Sequence, residues 1–164
     1  MSRLGRLVAA AGTAVVVAGC GIVGGNGFTA TPTTTPGVTL STETSPVGRI
    51  LATGSGHTLY AFAPDTASHS ACVSATCTYV WPPLIAHGTP TVAHGLRASL
   101  VGTIRRAGGA RQVTYGGHPL YTYVTDPAPG AVMGQALDQS GGYWYVVAPS
   151  GRIVTSGFTV VPKA

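Results

Sequence analysis

His57-Thr58-Leu59-Tyr60-Ala61-Phe62-Ala63-Pro64-Asp65 and His118-Pro119-Leu120-Tyr121-Thr122-Tyr123-Val124-Thr125-Asp126 are one pattern written twice, with every match offset by 61 residues, as from 57 to 118. A fixed internal period is read before any local propensity, because it decides the architecture. A glycine turn precedes each copy (Gly54-Ser55-Gly56 and Gly116-Gly117), and a tryptophan follows each, Trp81 and Trp144. Leu, Tyr and Phe in close succession favour strands. Strand alternation places Tyr60 with Phe62 on one face, and Tyr121 with Tyr123 on the equivalent face.

Working outward, the upstream segments Gly48–Thr53 and Arg111–Tyr115 can each fold back across the glycine turn as a hairpin. Residues 100–105 and Arg111–Tyr115 form another hairpin around Gly108-Gly109, and 143–148 turns at Ser150-Gly151 into 152–155. Helix signals are nearly absent; 92–99 allows one short turn. The expected fold is all-β, with two pseudo-equivalent antiparallel hairpin repeats in one small domain over 47–164. Repeat 1 covers about 48–84 and repeat 2 about 110–149. The composition agrees: 24 Gly and 12 Pro suit turns and short strands better than a helical bundle.

The first 46 residues read as address and tether. Arg3 and Arg6 precede an apolar run from Leu7 to Ala18, then Gly19 and Cys20, the layout of a secretory signal over 1–19. A run this short falls well below the about 20 residues that span a bilayer. Val17-Ala18-Gly19-Cys20 resembles the bacterial lipobox. That resemblance implies a thioether-linked lipid on Cys20, palmitate among its acyl chains, and cleavage before it. Two acyl chains anchor stably where one holds only marginally. Residues 20–46 are rich in Gly, Thr, Ser and Pro and show no apolar periodicity, so they are expected to form a disordered tether. The Thr-rich stretch also suits O-glycosylation.

Leu-Tyr-x-Phe/Tyr-x-x-Asp, Trp81-Pro82-Pro83-Leu84, Gln112-Val113-Thr114-Tyr115-Gly116-Gly117-His118-Pro119-Leu120-Tyr121 and Gly141-Gly142-Tyr143-Trp144-Tyr145-Val146-Val147-Ala148-Pro149 together resemble a known family. It is the actinobacterial and proteobacterial lipoprotein family with a Tyr-x-(Phe/Trp/Tyr)-x-x-Asp motif, also called the secreted repeat of unknown function. The resemblance spans about 48–151 and points to an actinobacterial source. It implies export, lipidation and a paired-repeat domain, with Leu59, Tyr60, Phe62, Asp65, Trp81, Leu120, Tyr121, Tyr123, Asp126 and Trp144 as the motif residues. It implies no reaction. Ala136-Leu137-Asp138-Gln139-Ser140 departs from the Phe or Asn-Gly-Phe that many family members carry there, so a different turn is expected.

Chemistry-bearing residues are few. With Cys20 lipidated, Cys72 and Cys77 remain, and two cysteines in an exported chain read as a disulfide. A redox-active or copper-binding pair near His69 is the sharper alternative. His57, His69 and His118 are the candidates for metal or haem ligation; their plainer role is bonding to turn backbone. Asp65 and Asp126 end equivalent strands, where an aspartate accepts hydrogen bonds from backbone amides two residues on. A catalytic carboxylate pair is the rival reading. The aromatics suit a core, with an exposed groove for a polysaccharide or peptide as the alternative. No nucleophile elbow, phosphate loop or zinc-enzyme pattern occurs. Without Arg3 and Arg6 the chain has seven Lys/Arg against four Asp/Glu, about +3, and the basic residues are scattered. That excludes a nucleic-acid partner.

The sequence thus predicts a non-enzymatic, membrane-anchored extracytoplasmic module without a cofactor. Its expected partners are membrane lipid through Cys20 and a cell-wall component or exported protein. The alternative is an extracytoplasmic metal, haem or electron-transfer accessory protein.

Overall fold

The computed structural model describes residues 37–156, and strand alternation over those residues builds two cores. The expected signal 1–19, Cys20 and the tether as far as residue 36 lie outside the described residues. Successive strand residues point to opposite faces. Ile50, Tyr60, Phe62, Tyr121, Trp144 and Val146 therefore meet in an aromatic core, with Trp81 and the Cys72–Cys77 disulfide. Their neighbours Leu51, Leu59, Ala61, Leu120 and Val147 meet in an aliphatic one, with Leu40, Val113 and Tyr115. The dipeptide Leu-Tyr thus feeds one residue to each core in both repeats.

Among the described residues nine short strands carry this pattern: β1 (Thr39–Ser45), β2 (Gly48–Thr53), β3 (Tyr60–Phe62), β4 (Thr91–Val92), β5 (Val101–Arg105), β6 (Arg111–Tyr115), β7 (His118–Pro119), β8 (Leu137–Asp138) and β9 (Tyr143–Val146). They form three-stranded sheets ordered β2-β1-β4, β3-β9-β8 and β5-β6-β7. Every pairing is antiparallel except that of β1 with β4. Equivalent backbone bonds tie the sheets together. Leu59 N donates to Leu51 O as Leu120 N does to Val113 O, both at 3.0 Å. Leu51 N donates to Val147 O at 2.7 Å as Val113 N does to Leu84 O at 2.8 Å. At the centre, Tyr60 and Tyr121 exchange backbone bonds of 2.9 and 3.0 Å. A pseudo-twofold relation therefore passes between these two tyrosines.

The architecture is all-β as expected, but three details differ. The tether expected over 20–46 is too long, because its residues 39–45 form β1, in register with β2 from Leu40↔Thr53 to Ser45↔Gly48. Hence β2 makes its main ladder with β1; toward β3 it keeps only the Ala52↔Thr58 bridge and the Leu59–Leu51 bond. Second, helix α1 (Ala75–Val80) starts inside the disulfide loop and runs on past Cys77, its Ser74 cap accepting from Cys77 N at 3.2 Å. A cap of this kind satisfies an amide left open by a helix start. Third, the short turn expected over 92–99 is a 3-10 turn at Ala98–Leu100. Among the described residues no helix is long and apolar enough to cross a membrane.

Candidate functional site

The motif residues converge on the pseudo-twofold, and each repeat completes the other. Tyr60 donates its hydroxyl to Asp126 Oδ2 at 2.9 Å, and Tyr121 donates to Asp65 Oδ2 at 2.7 Å. Each tyrosine thus bonds the aspartate of the opposite repeat. The second oxygen of each carboxylate accepts a loop amide: Asp65 Oδ1 takes Ala71 N at 2.7 Å, and Asp126 Oδ1 takes Met133 N at 2.9 Å. The aspartates do accept backbone amides as expected, but six and seven residues on rather than two, so each closes a longer loop. Their partners across the domain were not legible from spacing.

The aromatic rings follow the same rule. Tyr123, Trp81, Trp144 and Phe62 form one continuous stack, with centroid spacings of 4.2, 3.9 and 4.2 Å. The tryptophans are parallel at the middle, and each is capped by the motif ring of the other repeat. Tyr60 meets Trp81 edge-on at 5.3 Å, and Tyr121 meets Trp144 edge-on at 5.1 Å. Stacked and edge-on pairs contribute roughly 0.5–1.5 kcal/mol each beyond area burial. Trp81, Trp144, Tyr60 and Tyr121 are all 0 % exposed, so these rings form core, whereas Tyr143 stays exposed and stacks on Tyr145.

Buried indoles need acceptors, and one residue serves both. Trp81 Nε1 donates to Gln139 Oε1, and Trp144 Nε1 donates to Gln139 O, each at 2.9 Å. Gln139 lies in the segment Ala136–Ser140 where a different turn was expected. That turn holds Ala136 and Ser140 at positive φ, 54° and 61°. The role of Gln139 was missed from sequence; the signal was a polar residue beside an aromatic strand with two indole donors to satisfy. Gly134 is equally tied to the stack, since a Cβ there would lie 2.5 Å from Trp81 Cη2.

Burial sets the electrostatics. It pushes the carboxyls of Asp65 and Asp126 above their ordinary range, opposed for each by the tyrosine hydroxyl and the loop amide that favour the charged form. Burial also pushes the phenols of Tyr60 and Tyr121 up, with the facing carboxylates adding to the effect. These phenols remain donors at any physiological pH. The His118 imidazole is pushed down by burial, with Asp65 opposing. It faces Asp65, Phe62 and Tyr145 across a cleft of about 100 Å³.

The histidine candidates do not gather into one centre. His118 shares its cleft with Asp65, whereas His57 sits at the turn that follows β2. His69 lies on a tight backbone bridge with Thr66, bordering a second cavity. Among the described residues no three His, Cys, Asp or Glu side chains come together as a ligand set. Cys72 and Cys77 are disulfide-bonded and buried, with Cα atoms 5.6 Å apart.

A family model described as "secreted repeat of unknown function" matches the chain twice, over residues 41–85 and 102–148. These starts are again 61 residues apart, and they bring β1 and β5 into the repeat as equivalent first strands. No curated protein and no solved structure matches the chain.

Proposed function

The chain belongs to the family of secreted repeats of unknown function, and from that membership we propose that it is a lipid-anchored, non-enzymatic module of the cell envelope. As a member of a secreted family it is an extracytoplasmic protein. In the proposal, acylated Cys20 holds it to the outer face of the cell membrane, and its folded domain meets a cell-wall component or another exported protein.

One observation carries the non-enzymatic reading: the signature residues are spent on one another. Both aspartates, the only equivalent acids of the repeats, use one oxygen on a buried tyrosine and the other on a loop amide. A catalytic carboxylate must instead present an oxygen to substrate. What the motif supplies is a rigid, doubled scaffold whose outer surface is left for contact.

Replacing the thiol tests the anchor. Cys20→Ser is expected to leave the membrane fraction or stay unprocessed on cell fractionation; unchanged maturation and partition would refute it. Crosslinking in living cells then identifies what touches the domain. A stoichiometric metal or a haem absorption band in protein purified from its native membrane would replace this reading with an accessory redox role.

A further inference from the structure

Arg106 breaks the symmetry of the two halves. Its Nη1 donates to Ser70 Oγ at 2.8 Å and to Gln112 Oε1 at 2.6 Å, and its Nη2 donates to Cys72 O at 2.6 Å. Ser70 and Gln112 are buried, and each is fixed further, Ser70 by Tyr121 at 2.7 Å and Gln112 by Leu120 O at 2.9 Å. The guanidinium is thus locked in place by acceptors that are all uncharged. A guanidinium carries five N–H donors; three are used, leaving Nε and one Nη2 hydrogen. The nearby Asp65 carboxylate has both oxygens taken by Tyr121 and Ala71.

Beside this fixed cation lies a cavity of about 210 Å³, lined by His69, Ser70, Val73, Arg105, Arg106 and Ala107. Arg105 is exposed and directly precedes it in the chain, so two positive charges border one concavity. The Cys72–Cys77 disulfide closes the loop that supplies Cys72 O and Val73. A pre-positioned guanidinium with spare donors, a second one free to swing and an imidazole suit a doubly charged tetrahedral oxyanion better than a flat, singly charged carboxylate.

We propose that this cavity is a phosphate-binding site, Arg106 being the fixed donor and Arg105 the mobile one. It takes the phosphate group of a soluble or polymer-borne ligand outside the cell. The proposal rests on the extracytoplasmic reading only for where that ligand is met. Its test reads the cavity alone, whereas fractionation of Cys20→Ser reads the anchor alone, so either can fail without the other.

The experiment titrates the purified full-length protein with inorganic phosphate, ionic strength being held with chloride, and follows arginine side-chain N–H resonances. Saturable shifts of Arg105 and Arg106, at phosphate concentrations where acetate has no effect, are expected. Arg105→Gln, on an exposed side chain that leaves the fold intact, should weaken binding about tenfold, the scale of one charge-assisted contact. Arg49→Gln, outside the cavity, should leave it unchanged. A glycerol phosphate arm separates the sources: tighter binding than phosphate assigns an esterified ligand, weaker binding a free one, and both sustain the site. Non-saturable shifts, equal response to acetate, or equal loss in Arg49→Gln would each overturn it.

Discussion

At Asp65 and Asp126 the pH dependence of stability takes an unusual sign. Burial raises both carboxyls in the fold above the ordinary value of 3.8. A group raised on folding contributes stability that is full below its unfolded value and lost as pH rises through its folded value. Acidification toward pH 3.8 therefore strengthens the domain through these two residues. His118 acts oppositely. Its folded value lies below the ordinary 6.5, so its contribution is present above 6.5 and lost as pH falls through the folded value. Denaturant titrations across pH should show the acid-side gain shrink in Asp65→Asn and in Asp126→Asn, and the near-neutral loss shrink in His118→Gln. A steeper gain in the aspartate variants would contradict the assignment. Packing gives a second test at this scale. Gly134→Ala must push against Trp81 and is expected to cost about 1–3 kcal/mol, the usual range for overpacking, measured from the denaturant midpoint. The sequence identified the tyrosines, tryptophans and aspartates as a set, because repetition marks them. It did not show which touches which, since a crossed pairing and an uncrossed one leave the same spacing. Gln139 and Arg106 have no repeat counterpart in these roles, and periodicity is blind to such residues.

Among the elements, β1 holds the clearest lesson. Thr39–Ser45 reads TLSTETS, mostly hydroxyl side chains, and only Leu40 is fully buried. Such a strand has no apolar alternation to report, so it merges into the Thr-rich tether. Its one legible signal was β-branched threonine, which favours strands. The ladder to β2 and the parallel bridge from Thr39 and Leu40 to β4 make it integral. Leu40→Ala is expected to cost about 2–5 kcal/mol, as for other buried leucines. A chain beginning at residue 37 should unfold at the same denaturant midpoint as the full-length protein, whereas one beginning at 47 should lose its cooperative transition. Equal midpoints for the two would show β1 to be dispensable. By contrast, the β5–β6 hairpin was readable, because Gly108-Gly109 sits between residues of clear strand content. Both glycines take positive φ there, 79° and 84°.

For the whole molecule, the crossed bonds make the repeats interdependent. Tyr60 finds its carboxylate in the second repeat, Tyr121 finds its own in the first, and the ring stack draws alternately on both. Unfolding should accordingly be a single transition, with near-ultraviolet dichroism and tryptophan fluorescence changing together. Separate fragments 37–86 and 87–156 should each lack near-ultraviolet dichroism and regain it on mixing at equal concentration. A fragment that folded unaided would contradict the interlock.

That interlock also says something about ancestry. A chain with only one such unit could satisfy its tyrosine and cap its tryptophan only by embracing an identical molecule, carboxylate for carboxylate. Joining two copies end to end turns that encounter between strangers into a local search, since tethering sets a high effective concentration. Assembly then no longer depends on how much protein is present, an advantage for a molecule diluted outside the cell.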